Sequence, residues 1–353
     1  MQGRLSPTQR WTGLPFAARR TLTFTALALL LGAALVLGVG QGAVYVPPLE
    51  VLQALLGQRE NPIVTELRLP RVLGAMLVGA ALGLAGAAYQ GLFRNPLADP
   101  YLMGVAAGAS FGFTLTLSLS GALAGFGAGL FFSSLPTTAA LGAFLGALLA
   151  VFLTLILAGG SRSGQHLILA GVVVGSVLTG FSTLLLLLDT DRIREVFSYT
   201  LGSLAFMGWR GVGLLSAGLA FAMPLLWGLA RALNALALGE ETARSLGLPL
   251  SALRLVLIGL STLLTSLSVV HAGIIGFVGF VAPHALRQLV GGDYRYLLPA
   301  SALGGALLLA LADWAARVVV RPAELPVGVI TTLLGGPFFL YLLWRARRGL
   351  QWG

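Results

Sequence analysis

Eight stretches of this chain contain no aspartate, glutamate or arginine: 21–49, 72–93, 100–161, 163–188, 211–230, 255–286, 296–312 and 325–344. The chain has no lysine either, so none of them carries an obligatory charge. A helix that crosses a bilayer needs about 20 mostly apolar residues. Runs of this length and number constrain the fold to a bundle of membrane-spanning helices. Composition agrees: 57% of the 353 residues are hydrophobic and 10% charged, where a soluble domain carries about 25% charged residues. One water-surrounded core would stop growing before it absorbed this much apolar sequence.

The run 100–161 is too long for one span and breaks at Ser133-Ser134-Leu135-Pro136-Thr137-Thr138, which predicts helices near 100–120 and 138–158. The run 255–286 breaks near His271-Ala272-Gly273. That predicts helices near 255–271 and 275–290, the second short and holding Pro283. The expected fold is all-α, with ten transmembrane helices in residues 21–345. A cytoplasmic arm, 1–20, precedes them and a cytoplasmic tail, 346–353, follows. The first apolar run is longer than a signal-peptide core and no cleavage site follows it, so it is read as a retained helix.

With the N-terminus in the cytoplasm, 14 arginines fall inside against Asp99, Glu240, Glu241 and Asp293, while the outside receives eight arginines and eight acids. The excess lies wholly inside, as insertion requires. An even number of spans keeps both basic termini there. This explains the net charge of +10 better than nucleic-acid binding does.

Several chemistries are excluded. Without cysteine there are no disulfides or thiolate sites. Without lysine there is no G-x-x-x-x-G-K-[ST] loop, so the chain is not expected to hydrolyse ATP through one. Ionisable groups within spans mark ion or proton pathways, and the candidates are His271, His284 and Asp313. Asp313 has Arg317 at i+4, a spacing that favours a local ion pair over a relay. No metal-ligand cluster or acid–base pair is evident. The chain reads as a conduit energised from elsewhere. The glycine pairs Gly79/Gly83, Gly104/Gly108/Gly112, Gly142/Gly146 and Gly171/Gly175 suit close helix contacts, expected mostly inside one subunit.

One short charged segment interrupts the apolar pattern: Leu238-Gly239-Glu240-Glu241-Thr242-Ala243-Arg244-Ser245-Leu246-Gly247-Leu248-Pro249-Leu250. Glu240 and Glu241 suit a helix first turn, Gly247 a helix end, and Pro249 forbids continuation. Ala243 and Leu246, three apart, are expected to share a face. A two-turn helix is marginal alone in water. The residues leave open whether it rests against a partner or is a solvated turn.

The segment resembles the coupling helix of the FecCD family of binding-protein-dependent ABC importers. Leu67-Arg68-Leu69-Pro70-Arg71, Gln90-Gly91-Leu92-Phe93-Arg94-Asn95-Pro96-Leu97-Ala98-Asp99-Pro100, Gly276-Phe277-Val278-Gly279-Phe280-Val281-Ala282-Pro283-His284, and Ala323-Glu324-Leu325-Pro326-Val327-Gly328 followed by Gly335-Gly336-Pro337-Phe338 resemble further motifs of that family. The resemblance runs from about residue 20 to 345. It implies a type II importer permease that pairs into a twenty-helix dimer in the bacterial cytoplasmic membrane. Two ATPase subunits carrying ATP and magnesium, and a periplasmic or lipid-anchored binding protein, are the implied partners. No cofactor is expected in the chain itself. The implied cargo is an iron-siderophore, or alternatively haem or a corrinoid; an ion-coupled secondary transporter is the reading from another class. The resemblance assigns ATPase coupling to Leu238, Gly239, Glu240, Glu241, Ala243, Arg244, Leu246 and Gly247. It assigns binding-protein docking to Arg68, Arg71 and Arg317, and a cytoplasmic gate to Gly164 and Gln165. The segment 167–188 would line the path at the dimer seam.

Overall fold

A computed structural model of the chain describes residues 15–42, 45–124, 135–160, 164–320 and 323–350, with no strand among them. In chain order the helices are α1 (Phe16–Gly40), α2 (Pro48–Leu55), α3 (Leu69–Leu92), α4 (Val105–Ala124) and α5 (Leu135–Leu157). Next come α6 (Gly164–Leu188), α7 (Ile193–Leu201), α8 (Trp209–Gly228), α9 (Ala230–Ala237) and α10 (Glu240–Ser245). The chain ends with α11 (Leu250–Ala272), α12 (Val278–Val290), α13 (Tyr294–Val318) and α14 (Val327–Leu350). Each of the ten expected segments is one helix. Among the described residues, eight are long and apolar enough to cross a membrane. The other two are α4, 20 residues, and α12, 13 residues. At 1.5 Å per residue α12 is about 20 Å long, short of a hydrocarbon layer of about 30 Å.

The centre of the bundle is α3, which packs against α13, α11, α12 and α8. Its apolar span is 78% buried, against 22% for α6 and α14, which therefore form the rim. Glycine permits this density. Gly79 and Gly83 of α3 face the backbone of Ser301 and Gly305 in α13, and Gly108 and Gly112 of α4 face Gly142 and Gly146 in α5; a Cβ at any of these seven glycines would meet a backbone carbonyl. These contacts all lie within this chain. Without a hydrophobic force between helices in lipid, such close approach is a main source of cohesion.

Helix boundaries differ from expectation in three places. α1 starts at Phe16 and α14 continues to Leu350, so parts of the expected arm and tail are helical. The third difference lies at Arg68 and Arg71, just before the expected run that starts at residue 72. The helix begins earlier, with a π-helical turn over Ile63–Arg68 that runs into α3, and the Leu69 amide donates to the Val64 carbonyl. Pro70 has no N–H and its ring crowds the carbonyl four residues back; a wider turn relieves both problems. The short helices α2, α7 and α9 were not anticipated. The signal for α9 was present: Ala230, Leu233 and Leu236, three apart, are its buried face.

The break between α11 and α12 falls where expected. Irregular backbone at membrane depth survives only when protein satisfies its polar groups. The Tyr101 hydroxyl does so twice, accepting from the Ile275 amide and donating to the Ile275 carbonyl, both at 3.2 Å. The Ser203 amide donates to the Ala272 carbonyl at 2.8 Å.

At the other end of the bundle, Asp293 caps α13. One of its oxygens accepts from the Arg295 amide at 3.0 Å and from the Asn234 side chain at 2.7 Å. The other accepts from the Arg295 guanidinium at 2.7 Å. Hydrogen bonds from Arg295, and then from Asn234, hold its carboxyl well below the ordinary range. A carboxylate whose pKa falls on folding stabilises the fold above its unfolded pKa and loses that contribution as pH drops. Melting temperature in detergent should therefore fall as pH is lowered through about 4, and Asp293→Asn should flatten that slope. An unchanged slope in the variant would exclude the cap as its source.

Candidate functional site

Chemically distinctive residues gather at two places, one on each side of the bundle. One is built around α10. Gly239 precedes it with a φ of +129° and Gly247 follows with a φ of +79°, conformations that disfavour a side chain. The Gly247 amide donates to the Arg244 carbonyl and the Leu248 amide to the Ala243 carbonyl, at 2.9 and 3.1 Å. These are the paired bonds of a helix closed by a left-handed residue. The segment is the short, doubly stopped helix that the sequence predicts.

Its faces are not as predicted. Ala243 is fully buried, whereas Leu246 is 65% and Leu238 74% exposed. Ala243 and Leu246 therefore do not share an environment. Ala243 packs inward, and a bulky charge there would disrupt this chain itself. Leu238 and Leu246 are the two apolar side chains that project outward.

Glu240 ties α10 to the bundle. Its carboxylate lies 2.6 Å from Arg254 Nη2 and 3.6 Å from Arg94 Nη2. Arg254 is buried at the start of α11. Arg94 stands just past the end of α3 with a φ of +49°. There the Arg94 amide bonds the Gly91 carbonyl and the Asn95 amide bonds the Gln90 carbonyl, at 3.3 and 3.1 Å. Glycine is the usual occupant of this position, and a side chain there costs about 1 kcal/mol. Arginine occupies it, and its guanidinium reaches Glu240. Sequence reading assigned no role to Arg94 or Arg254. The signal at Arg94 was a non-glycine residue at a helix stop, directly before Asn95-Pro96.

A cleft of about 690 Å³ lies between these parts. Phe93 and Arg94 form one wall, Gly164, Gln165 and Ile168 a second, and Leu238 through Thr242 with Arg244 a third. The structure thus brings the expected gate residues Gly164 and Gln165, at the start of α6, beside the expected coupling segment. Ser161, Arg162 and Ser163 lie outside the described residues. A second cleft, about 390 Å³, is lined by Leu97, Asp99, Gly276, Phe277, Phe280 and Phe339. Burial pushes the Asp99 carboxyl up to about 6, against a hydrogen bond from the Tyr101 amide.

On the opposite side, the three expected docking arginines share one cluster. Arg68 Nη1 donates to the Val39 and Gly40 carbonyls at 2.9 and 3.2 Å. Arg317 Nη1 donates to the Gly38 and Gln41 carbonyls at 2.8 and 2.9 Å. These are the terminal carbonyls of α1, which have no helical partner and sit at the negative dipole end. Arg317 also lies 3.0 Å from Asp313, which lies 3.0 Å from Arg71. The expected local pair of Asp313 and Arg317 is present, with Arg71 added. Arg71 reaches on to Glu324 at 2.8 Å. Arg68 and Arg317 are buried, at 9% and 4% exposure, so as placed they organise helix ends rather than present free guanidiniums. The surface end of the cluster is Arg71 with Glu324, whose side chain is 45% exposed.

The FecCD transport family matches residues 28–345. The iron(3+)-hydroxamate import system permease protein FhuB of Bacillus subtilis is 37% identical over 345 residues, 97% of this chain and 87% of its own length. The vitamin B12 import system permease protein BtuC of Escherichia coli O9:H4 is 41% identical over 297 residues, 82% of this chain and 86% of its own length. A solved inward-facing ABC transporter of metal-chelate type superposes with a TM-score of 0.77 at 30% identity, over 92% of this chain and 99% of that one. Matched along almost its whole length, with every expected span present as a helix, the chain belongs to the FecCD transport family of ABC transporter permeases.

Proposed function

We propose that this chain is the translocation subunit of an ATP-driven importer in the cytoplasmic membrane, with both termini on the cytoplasmic side. It pairs with a second copy into a twenty-helix dimer, rests on two separate ATPase subunits, and receives cargo from an extracytoplasmic binding protein. The observation that carries this reading is α10, a helix of six residues anchored inward by Ala243 and flanked by exposed Leu238 and Leu246. That is the shape of a plug for a groove on a partner. The cargo we favour is an iron-siderophore, because the hydroxamate relative aligns over 97% of this chain. Haem or a corrinoid is the alternative, since the vitamin B12 relative is of comparable identity at 41%.

In this reading the ATPase moves α10 through Leu238 and Leu246. Glu240 carries the displacement to Arg254 in α11 and to Arg94 at the turn between α3 and α4. Gly164 and Gln165, across the same cleft, open or close the path along α6. The outward face of α6 carries Leu169, Val173, Val177, Phe181 and Leu184. A bulky chelate slides along such a wall without a charged group to hold it.

At the outer side we assign binding-protein docking to the Arg71–Glu324 rim, with Arg68 and Arg317 fixing its backbone support. Glu324 then occupies the guanidinium that an incoming carboxylate would take. The reading from another class, ion-coupled transport through Asp313, is disfavoured by the two guanidiniums that already hold this carboxylate.

Four outcomes are expected. Leu246→Arg should abolish co-purification of the ATPase. Arg94→Gly relaxes the backbone, so it should keep the ATPase bound yet lower transport in proteoliposomes about tenfold, as loss of a charge-assisted contact implies. Full transport in Arg94→Gly would remove the Glu240 link. At the outer rim, Glu324→Gln should tighten binding-protein affinity and Arg71→Gln weaken it, each about fivefold; shifts in the same direction would count against docking there. Finally, uptake should stop with orthovanadate and survive an uncoupler, whereas the reverse pattern supports the ion-coupled reading.

A further inference from the structure

Four guanidiniums gather at the cytoplasmic ends of α1, α12 and α13: Arg19, Arg20, Arg287 and Arg295. Among the described residues the one carboxylate paired with any of them is Asp293, on Arg295. The other three are held by neutral groups. Arg19 Nη2 donates to the Gln288 carbonyl at 2.7 Å, Arg20 Nε to the Val290 carbonyl at 3.1 Å, and Arg287 Nη2 to the Tyr294 hydroxyl at 3.2 Å. The Arg20 guanidinium carbon lies 3.7 Å from the centre of the Tyr296 ring, and that of Arg295 lies 5.9 Å from the same centre. These contacts orient positive charge without neutralising it.

Beside them a cleft of about 440 Å³ is lined by Ala17, Arg20, Thr21, Phe24 and Thr25 of α1 and by Tyr296 of α13. Arg20 supplies charge at one end. Thr21 and Thr25, one turn apart and exposed, continue the wall towards Leu29, which is 70% exposed. Trp227 fixes the depth: it is half exposed, and its indole N–H donates to the Arg295 carbonyl at 2.9 Å. Amphipathic indoles of this kind settle at the headgroup level. The cleft is therefore cationic at its headgroup end and apolar towards the hydrocarbon. Arginine matches phosphate oxygens with parallel N–H donors, and basic pockets between spans on the cytoplasmic side suit anionic lipid headgroups.

We propose that this crevice seats one anionic phospholipid of the cytoplasmic leaflet. Its phosphodiester rests against Arg20 and Arg19, and an acyl chain lies along the exposed stripe of α1. The site is separate from the coupling segment and does not depend on the transport reading.

The test uses the full chain in mild detergent, titrated with phosphatidylglycerol or phosphatidylcholine and read by native mass spectrometry. Wild type should retain one phosphatidylglycerol per chain, saturably, and prefer it to phosphatidylcholine. Arg20→Gln should lower that affinity about fivefold, the worth of one basic residue near the surface. Arg231→Gln removes the same charge from exposed α9 and should leave the affinity unchanged. Tyr296→Leu, which keeps every charge but removes the ring that orients Arg20, should also weaken retention. A melting curve in detergent identifies any variant that fails to fold, and the wild-type lipid preference stands without it. Equal retention of the two lipids overturns the proposal, and so does an equal loss in Arg20→Gln and Arg231→Gln, which would mean diffuse attraction. Displacement of the lipid by millimolar inorganic phosphate would assign the site to a soluble anion and likewise overturn it.

Discussion

A hydrocarbon layer offers no hydrogen-bond partner, so every backbone N–H and C=O within it must be satisfied by the protein. Most of this chain meets that demand by being helical. The informative places are those where the helix stops or changes pitch. At Pro70 a π turn absorbs the missing donor. Between α11 and α12 the Tyr101 hydroxyl serves both polar groups of Ile275. At the end of α1 the last carbonyls are taken by Arg68 and Arg317. The last two interruptions are repaired by side chains distant in sequence, and each repair joins another helix.

Arginine does much of this repair. Its planar head carries several donors in fixed directions, so one residue can serve two carbonyls or a carbonyl and a carboxylate. Arg317 spans two carbonyls of the α1 end and Asp313, and Arg71 spans Asp313 and Glu324. Buried charge is costly unless paired and hydrogen-bonded. A lysine in the place of Arg317 would be a point charge with less reach. The same chemistry recurs where α1 meets α13, with Arg20 stacked on Tyr296 but without a carboxylate partner among the described residues.

In its proposed coupling role, α10 meets two opposed requirements. It has to be rigidly joined to its own bundle, and it has to offer a surface to another protein. Ala243 and Glu240 serve the first and Leu238 and Leu246 the second. The left-handed Arg94 belongs to the first as well. A residue in an unfavourable backbone conformation persists where the surrounding structure requires it, and here the requirement is a side chain that glycine lacks. The small-residue contacts of α3 with α13 bring their two backbones into direct contact.

Much of this was legible in the residue order. The length of the charge-free runs determines the number of helices, because apolar length alone decides what can span a bilayer. Gly239, Gly247 and Pro249 delimit α10, because backbone freedom is a local property. Tertiary structure decided what each charged or small side chain touches. Arg68, read as a surface residue, is buried, because the end of α1, nearly thirty residues away, needed donors. Ala243 and Leu246, three apart, separated because α10 is too short for both to reach the bundle. Arg94 and Arg254 met on Glu240 because the end of α3, far away in the chain, lies beside α10 and the start of α11. Such partnerships depend on distances that arise only once the helices have packed, and no local pattern encodes them.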